Sequence, residues 1–473
     1  MAVPSGVTAT EICTATKRGD YSVADVIDAA LQRCHRVQAA LNPFTEIYGD
    51  DARQQAAVAD HALQSGGAIG PLHGVPVAIK DFTPLAGERT TRGSKALRDW
   101  IPDDDPVIVQ RLRAAGAIII AKTTTPEFAH SSFTRSPLFG HTLNPWDASR
   151  SSGGSSGGAG VAVATGCVPL AEGTDMGGSV RIPAAWCGVV GLKPSLGRIP
   201  MDILPTVFDT ISHFGPLART VEDAALFLDV TSGSHEADIL SQRDPMPLDG
   251  NMAASVAGLR LAISPTLDIF HLDPDVRANF EKMVALLGAA GAKVHEVSLG
   301  WDASMVDAWL DIWAVYLAAA VEDLMHDHRD DMDPEFIAFV DKGMAMSAVA
   351  YRRLDEIRTR QWHLMRAAMN ECDALLCPTM AVPAAPFDAR EDDYASFDDS
   401  GMLKGLDMTS LFNSVAPCPA LTVPSGLSRD GLPTAIQIVG HRYDDPMVVR
   451  IGIAIERLNP WRPGLDALAQ TFA

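Results

Sequence analysis

Basic residues are scarce in this chain of 473 residues, where 38 lysines and arginines face 59 aspartates and glutamates and leave a formal net charge of −21. A protein that binds nucleic acid or an anionic membrane surface needs a basic face. Long apolar runs are absent too, since residues 314–321 are followed at once by Glu322 and Asp323. We therefore expect no nucleic-acid partner and no membrane partner.

Cysteine and the common cofactor motifs are also rare. The seven cysteines form no CxxC pair and their number is odd, which indicates reduced, mostly buried thiols in a cytoplasmic protein. The first residues, MAVPS, lack both the basic and the apolar region of a signal peptide. Neither an HExxH pattern nor a glycine loop ending in Gly-Lys-Ser/Thr occurs. The sequence thus predicts no metal and no other cofactor.

An acidic, histidine-containing run is a candidate metal site. It consists of His326, Asp327, His328, Asp330, Asp331 and Asp333. The run has no recognisable ligand pattern, so a solvated helix end is the preferred interpretation.

Helical and strand-like segments alternate along the chain, which favours one α/β domain over residues 1–473. Ser22 and Asp25 predict the start of a helix to about Ala40, and Asp105 with Pro106 predicts an N-cap and first turn. Further helices are expected over 302–320 and 347–369 and, as the final one, from Pro446 to about 458. The predicted strands are 75–79, 117–121, 168–171, 259–263, 294–297, 374–376, 420–423 and 435–439.

Two glycine-serine clusters and one lysine carry the chemistry. The clusters are GGSSGG at 153–158 and DMGGSVRIP at 175–183, and Lys80 ends the apolar run 74–79. Glycine beside serine lets a substrate approach main-chain N–H groups, which can stabilise an oxyanion. A lysine in apolar surroundings can lose its charge and act as a base. Together these features indicate a serine hydrolase with a lysine base.

The stretch 153–184 resembles the signature of the amidase signature family. Further similar segments are GPLHGVPVAIKD at 70–81, KTTTPEF at 122–128, CGVVGLKP at 187–194, GPLART at 215–220, GLP at 431–433 and QIVG at 437–440. The resemblance implies an α/β fold with a central mixed β-sheet covered by helices on both faces. It covers nearly the whole chain, with an N-terminal helical segment over about 1–65 and a variable, substrate-binding helical region over about 235–370, where it is weakest.

Position by position, the resemblance implies that Ser179 is the nucleophile, that Ser155 is a bridging serine after a cis peptide bond, and that Lys80 is the base. It also implies an oxyanion hole formed by the N–H groups of Met176, Gly177, Gly178 and Ser179. Structural roles are preferred for Ser156, which would hydrogen-bond the loop, and for an ion pair between Asp175 and Arg181.

Two alternatives compete with this interpretation. Residues 153–157 also fit the nucleophile elbow of α/β-hydrolases, but the polar residues 147–152 do not form the strand that this elbow requires. A glutamine-hydrolysing amidase subunit of a tRNA-dependent amidotransferase belongs to the same family and shares Lys80, Ser155 and Ser179, so the catalytic residues leave that alternative open.

The expected substrate is a small amide with an apolar or aryl group, with side activity on esters and carbamates. Met201 and Phe208 lie in an apolar segment after the signature, and Trp309, Trp313 and Tyr316 recur at helical spacing. Packing in the core is the alternative role for these aromatic residues, and an adaptable apolar cavity is the functional one. The oligomeric state stays open, with a homodimer as one expectation.

Overall fold

The predicted strands lie in one large sheet of the computed structural model, which describes residues 3–243 and 255–473. The described strands are β1 (Phe44–Ile47), β2 (Pro76–Lys80), β3 (Ile118–Thr123), β4 (Arg135–Ser136), β5 (Gly140–His141), β6 (Leu170–Asp175), β7 (Val190–Lys193), β8 (His213–Ala218), β9 (Arg260–Ile263), β10 (Lys293–Glu296), β11 (Ala374–Pro378), β12 (Ala420–Leu427) and β13 (Pro433–Gly440). Of these, β4 and β5 form a separate two-stranded ribbon, and the others belong to the large sheet.

The sheet is mixed, as predicted. Its order is β1-β3-β2-β6-β8-β7-β12-β13-β11-β9-β10. The neighbours β3, β2 and β6 run parallel, as do β11, β9 and β10, and the other neighbouring strands pair antiparallel. Because β2 and β6 are parallel neighbours, their carboxyl ends meet at one edge of the sheet, where Lys80 and Asp175 lie.

The described helices surround this sheet. They are α1 (Ala9–Arg18), α2 (Val23–Leu41), α3 (Gly49–Gln64), α4 (Val107–Ala114), α5 (Gly157–Ala164), α6 (Arg181–Cys187), α7 (Val221–Thr231), α8 (Pro274–Ala289), α9 (Ser304–His328), α10 (Pro334–Met344), α11 (Ala348–Ala368), α12 (Leu411–Ser414), α13 (Asp445–Leu458) and α14 (Arg462–Gln470).

Both faces of the sheet are covered. On β2, Val77 and Ile79 belong to one hydrophobic core and Ala78 belongs to another, because successive side chains of a strand point to opposite faces. The first core includes residues of α4, α7, α8 and α13, and the second includes residues of α2 and α5. The expected covering by helices on both faces is confirmed.

Several predicted element ends need correction. Ser22 and Asp25 do form the expected capping box, but Asp105 does not cap α4: Pro106 occupies the N-cap, and the Asp105 carboxylate accepts from Ala86 N–H at 2.8 Å. The helix α13 is not the last one, because α14 follows with a proline in its first turn, where a missing N–H costs little. The N-terminal segment 1–65 also contains β1 in addition to its helices.

The variable region contains both strands and helices. It includes β9, α8 and β10 before α9, α10 and α11, and its residues 244–254 lie outside the described part of the chain. Helix α9 packs against α10 and α11. The stretch Ser304–Asp331 is long and apolar enough to cross a membrane, but half of its most apolar window is buried inside the protein.

Candidate active site

Lys80 ends β2 with a fully buried side chain. Its Nζ lies 2.6 Å from Ser155 Oγ and 2.8 Å from Thr174 Oγ1. Thr174 belongs to the neighbouring strand β6, so the parallel pairing of β2 and β6 brings the two side chains together. Lys80 and Ser155, which are 75 positions apart in sequence, are thus in direct contact as the resemblance implied.

The surroundings of Lys80 favour the uncharged amine. Burial lowers the pKa of Lys80 to about 7, although the carboxylates of Glu172 and Asp175 act in the opposite direction. Glu172 is also fully buried and accepts hydrogen bonds from Lys80 N–H and Thr83 Oγ1, each at 2.9 Å. Burial raises the pKa of Glu172. Burial thus favours the uncharged amine, the form of Lys80 that can accept a proton.

Ser155 lies in a short segment, residues 153–156, that we call the serine loop. The peptide bond between Gly154 and Ser155 is cis, as predicted. Gly154 has no room for a side chain, since a Cβ there would lie 2.5 Å from the Ser131 carbonyl oxygen. Ser156 N–H donates to the Ser179 carbonyl at 3.1 Å, which connects the serine loop to the second glycine cluster.

Ser179 lies in that second cluster, in residues 176–179, which we call the glycine loop. Met176, Gly177 and Ser179 line the large cavity described below. The N–H of Gly178 donates to Asp175 Oδ1 at 2.8 Å, and Gly178 itself is buried. The Gly178 N–H is therefore already engaged, which speaks against this member of the expected oxyanion hole. The N–H groups of the other three expected donors, Met176, Gly177 and Ser179, have no hydrogen-bond partner within residues 3–243 and 255–473.

The predicted ion pair between Asp175 and Arg181 is present and fully buried, with Arg181 Nη2 3.0 Å from Asp175 Oδ1. Burial alone would raise the pKa of Asp175, but the charge and hydrogen bonds of Arg181 outweigh it and hold that pKa well below its usual range. Arg181 also donates to the side-chain oxygens of Gln437 at 3.0 Å and Asn413 at 2.6 Å. The ion pair thus fixes the glycine loop to the C-terminal part of the sheet.

A cavity of about 890 Å³ opens onto both loops, and Ser155 and Ser179 are part of its lining. One side is an aromatic wall that we define as His130, Trp309, Trp313 and Phe339. Trp313 stacks on Trp309 and on His130, each at 5.0 Å between ring centroids. Burial lowers the pKa of His130 to about 4, so this ring is neutral at physiological pH. The wall suits a flat apolar group.

The two predicted substrate-binding residues differ in position. Met201 lines the cavity. Phe208 is 68% exposed and lies outside the lining, where its neighbours Thr206 and Asp209 take part instead. Tyr316 also lines the cavity, whereas the methionines at 325 and 332 pack in the core beneath it. Contrary to the prediction, Phe208 therefore does not line the cavity.

Four site residues are not identified by the sequence: Thr174, Glu172, Asn413 and Gln437. Glu172 and Thr174 lie within the signature stretch 153–184, and Gln437 begins the similar segment 437–440, but neither pattern assigns these side chains a role; Asn413 lies in none of the similar segments. His326, from the histidine-containing run, is 87% exposed near the end of α9. In the described ranges, no group of three or more His, Cys, Asp or Glu side chains is arranged to hold a metal ion.

Comparison with known proteins agrees with this fold. A family model described as Amidase matches residues 25–449. The chain therefore belongs to the amidase signature family, and it is a hydrolase that acts on C–N bonds other than peptide bonds.

Its relatives include both classes that the sequence leaves open. The chain is 36% identical over 460 residues to an acylamidase from Rhodococcus erythropolis, with 96% of each chain covered. It is 32% identical over 478 residues to a glutamyl-tRNA(Gln) amidotransferase subunit from Roseiflexus sp. (strain RS-1), again with 96% of each covered. The crystal structure of a bacterial aryl acylamidase matches with a TM-score of 0.91 at 29% identity and covers 98% of both chains.

Proposed function

We propose that this protein hydrolyses apolar or aryl amides through an acyl-enzyme on Ser179, with Lys80 as the base and Ser155 as the group that relays the proton. One observation carries the proposal: Lys80 Nζ lies 2.6 Å from Ser155 Oγ, and both are buried at the base of a cavity that Ser155 and Ser179 help to line. Activated esters and aryl carbamates are proposed as further substrates because they form the same acyl-enzyme type.

Lys80, Ser155 and Ser179 account for every proton transfer in this reaction, so no further acid or base is required. Neutral Lys80 accepts the Ser155 hydroxyl proton while Ser155 accepts the Ser179 proton, and Ser179 Oγ attacks the carbonyl carbon. The N–H groups of Met176, Gly177 and Ser179, the expected donors without a partner among the described residues, stabilise the oxyanion. The C–N bond then breaks, and the amine leaves with a proton returned from Lys80 through Ser155. Water attacks the acyl-enzyme by the same route and releases the acid.

Two of the cations that line the cavity are not free to bind a substrate carboxylate. Lys342 and Arg390 line it but are paired with Asp311 at 2.7 Å and Glu335 at 3.2 Å. A glutamine site must instead pair an α-carboxylate and an α-ammonium, since buried unpaired charges are costly.

Arg92 is the observation that favours the second candidate, a glutamine-hydrolysing subunit. It lines the cavity, and no carboxylate of the described residues lies within 4.0 Å of its guanidinium. That group is already engaged, because it stacks on the rings of Phe82 and Trp100 and donates to the Ile203 carbonyl at 3.3 Å. A substrate carboxylate would have to compete with these contacts.

A substrate panel tests the two candidates. We expect the purified chain alone to turn over anilides, p-nitrophenyl esters and aryl carbamates with kcat/KM at least about 100-fold above that for glutamine, a discrimination within the range of a few matched contacts. Initial rates with each substrate, with and without added amidotransferase partner subunits, provide the measurement. Deamidation of glutamine without activity on any aryl substrate, or activity only with partner subunits, would establish the second candidate.

The placement of Met201 and Phe208 yields a matched pair of variants. Met201→Lys puts a charge into the cavity and is expected to lower kcat/KM for an anilide by about 10- to 100-fold, mainly through KM, because the apolar group loses its contact. The same change at Phe208 affects an exposed position and should leave the rate within about twofold. Steady-state kinetics of both variants, with the anilide and with a minimal primary amide, provide the measurement. Equal losses of kcat/KM in the two variants would contradict a substrate site beside Met201.

A further inference from the structure

Side chains from distant parts of the chain leave no room for a Cβ at either glycine of the glycine loop. A Cβ at position 177 would lie 2.0 Å from Cζ2 of Trp309, and a Cβ at position 178 would lie 1.9 Å from Oγ1 of Thr409. Real Cβ atoms do not approach other atoms so closely. The loop is therefore in direct contact with Trp309 on α9 and with Thr409 in the segment before α12.

The contact with Trp309 includes a hydrogen bond. Trp309 Nε1–H donates to the Met176 carbonyl oxygen at 3.2 Å. In a trans peptide the carbonyl and the following N–H belong to one rigid plane and point in opposite directions. The Met176 carbonyl shares its plane with the Gly177 N–H, which is one of the expected oxyanion donors that have no partner among the described residues. By fixing the carbonyl, Trp309 also fixes the direction of that donor.

The next peptide plane is held at both ends. The Gly177 carbonyl lies 2.7 Å from Thr409 Oγ1, and the Gly178 N–H donates to Asp175 at 2.8 Å. The plane between Met176 and Gly177 has only its carbonyl engaged, through Trp309, among the described residues. Among the described residues, Trp309 is thus the one side chain that hydrogen-bonds the plane carrying the Gly177 donor.

We propose that Trp309 is a positioning residue that sets the Gly177 N–H for oxyanion binding, in addition to forming part of the aromatic wall. The inference rests on the proposed attack by Ser179. Because the indole both contacts the bound group and directs the donor, α9 connects the part of the cavity that recognises the substrate with the part that stabilises its reaction intermediate.

A matched pair of tryptophans tests the inference. Trp313 is one helical turn further along α9, is buried to the same degree as Trp309 (8% and 7% exposed) and lines the same cavity. Its indole N–H has no hydrogen-bond partner in the described chain. Trp309→Phe and Trp313→Phe thus make the same chemical change, but only the first removes a hydrogen bond to the glycine loop.

For an anilide we expect Trp309→Phe to lower kcat by about 10- to 100-fold with KM within about threefold, somewhat less than the loss of a whole oxyanion donor. Trp313→Phe should raise KM and leave kcat within about threefold. The rate of inactivation by a fluorophosphonate, whose phosphoryl oxygen occupies the same hole, should fall in Trp309→Phe alone. The pH midpoint should not move in either variant, because Lys80 is unchanged.

A second substitution separates the hydrogen bond from packing. The sulfur analogue 3-benzothienylalanine at position 309 keeps the shape of the indole and removes only its N–H, so it should reproduce the loss in kcat with an unchanged melting temperature. The same kinetic pattern at 309 and 313, or a normal kcat with the sulfur analogue, would leave Trp309 as cavity wall only. Absence of fluorophosphonate labelling at Ser179 in the unsubstituted enzyme would instead refute the proposed function itself.

Discussion

Ser179→Ala is expected to abolish amide hydrolysis, with a fall in kcat on the order of 10⁵- to 10⁶-fold, as found when a catalytic serine acting as part of a unit is removed. The reason is that the proposed acyl-enzyme forms on Ser179 Oγ, the atom that this substitution removes. The variant should remain folded, because Ser179 is partly exposed to the cavity and its side chain makes no hydrogen bond in the described structure. Turnover of an anilide, with the melting temperature as a check on folding, is the measurement.

Ser156→Ala is the control for this loss. Ser156 lies in the serine loop and is fully buried, and its hydroxyl is 3.5 Å from the Thr174 carbonyl, so its removal should retain most activity. A fluorophosphonate should label one tryptic peptide, the one with Ser179. Labelling of Ser155 with Ser179 unmodified would reverse the roles given to the two serines.

Lys80→Arg and Lys80→Met are expected to lower kcat by about 10³- to 10⁴-fold, near the upper range for loss of a general base. Guanidinium stays protonated and cannot accept the Ser155 proton, and methionine has no basic nitrogen. In the unsubstituted enzyme, burial lowers the pKa of Lys80 to about 7. The active form is the neutral amine, so the rate should decrease about tenfold per pH unit below that pKa and level off above it.

The pH dependence of fluorophosphonate labelling is an independent measure of the same group. It should follow the same midpoint, since formation of the covalent bond to Ser179 requires the same proton transfer. Near-normal turnover by Lys80→Arg would remove the lysine from the mechanism. A labelling rate that does not change between about pH 5 and about pH 9 would contradict a titrating base.

Much of the site could be predicted because its chemistry is encoded locally. The glycine-serine clusters and the strand before Lys80 are contiguous in sequence, and the structure brings Lys80, Ser155 and Thr174 into contact. The predicted end of β6 at residue 171 is too early, since the strand continues to Asp175. The polar residues in the second half of β6 resemble a loop in sequence. In the structure Glu172, Thr174 and Asp175 are buried, and groups from other parts of the fold provide their hydrogen bonds and ion pair.

The rest depends on long-range packing. The occupied N–H of Gly178 follows from the orientation of the Asp175 carboxylate, which no sequence pattern indicates. The exposure of Phe208 is a similar case, because an apolar residue in a loop near the signature can point into the cavity or away from it. The partners of Arg181 are 232 and 256 positions away, too far for local patterns to identify.

That last distance determines when the enzyme can become active during its synthesis. Until Asn413 and Gln437 have left the ribosome, the Arg181 guanidinium has the Asp175 carboxylate but lacks two of the side-chain oxygens that accept from it in the buried site. The proposed nucleophile, relay and base are all present in the first 179 residues, yet the ion pair beside Ser179 receives these partners only from α12 and β13, near the carboxyl terminus. A nascent chain therefore carries the reactive groups without a working arrangement of them, and hydrolysis begins as one of the last events of folding.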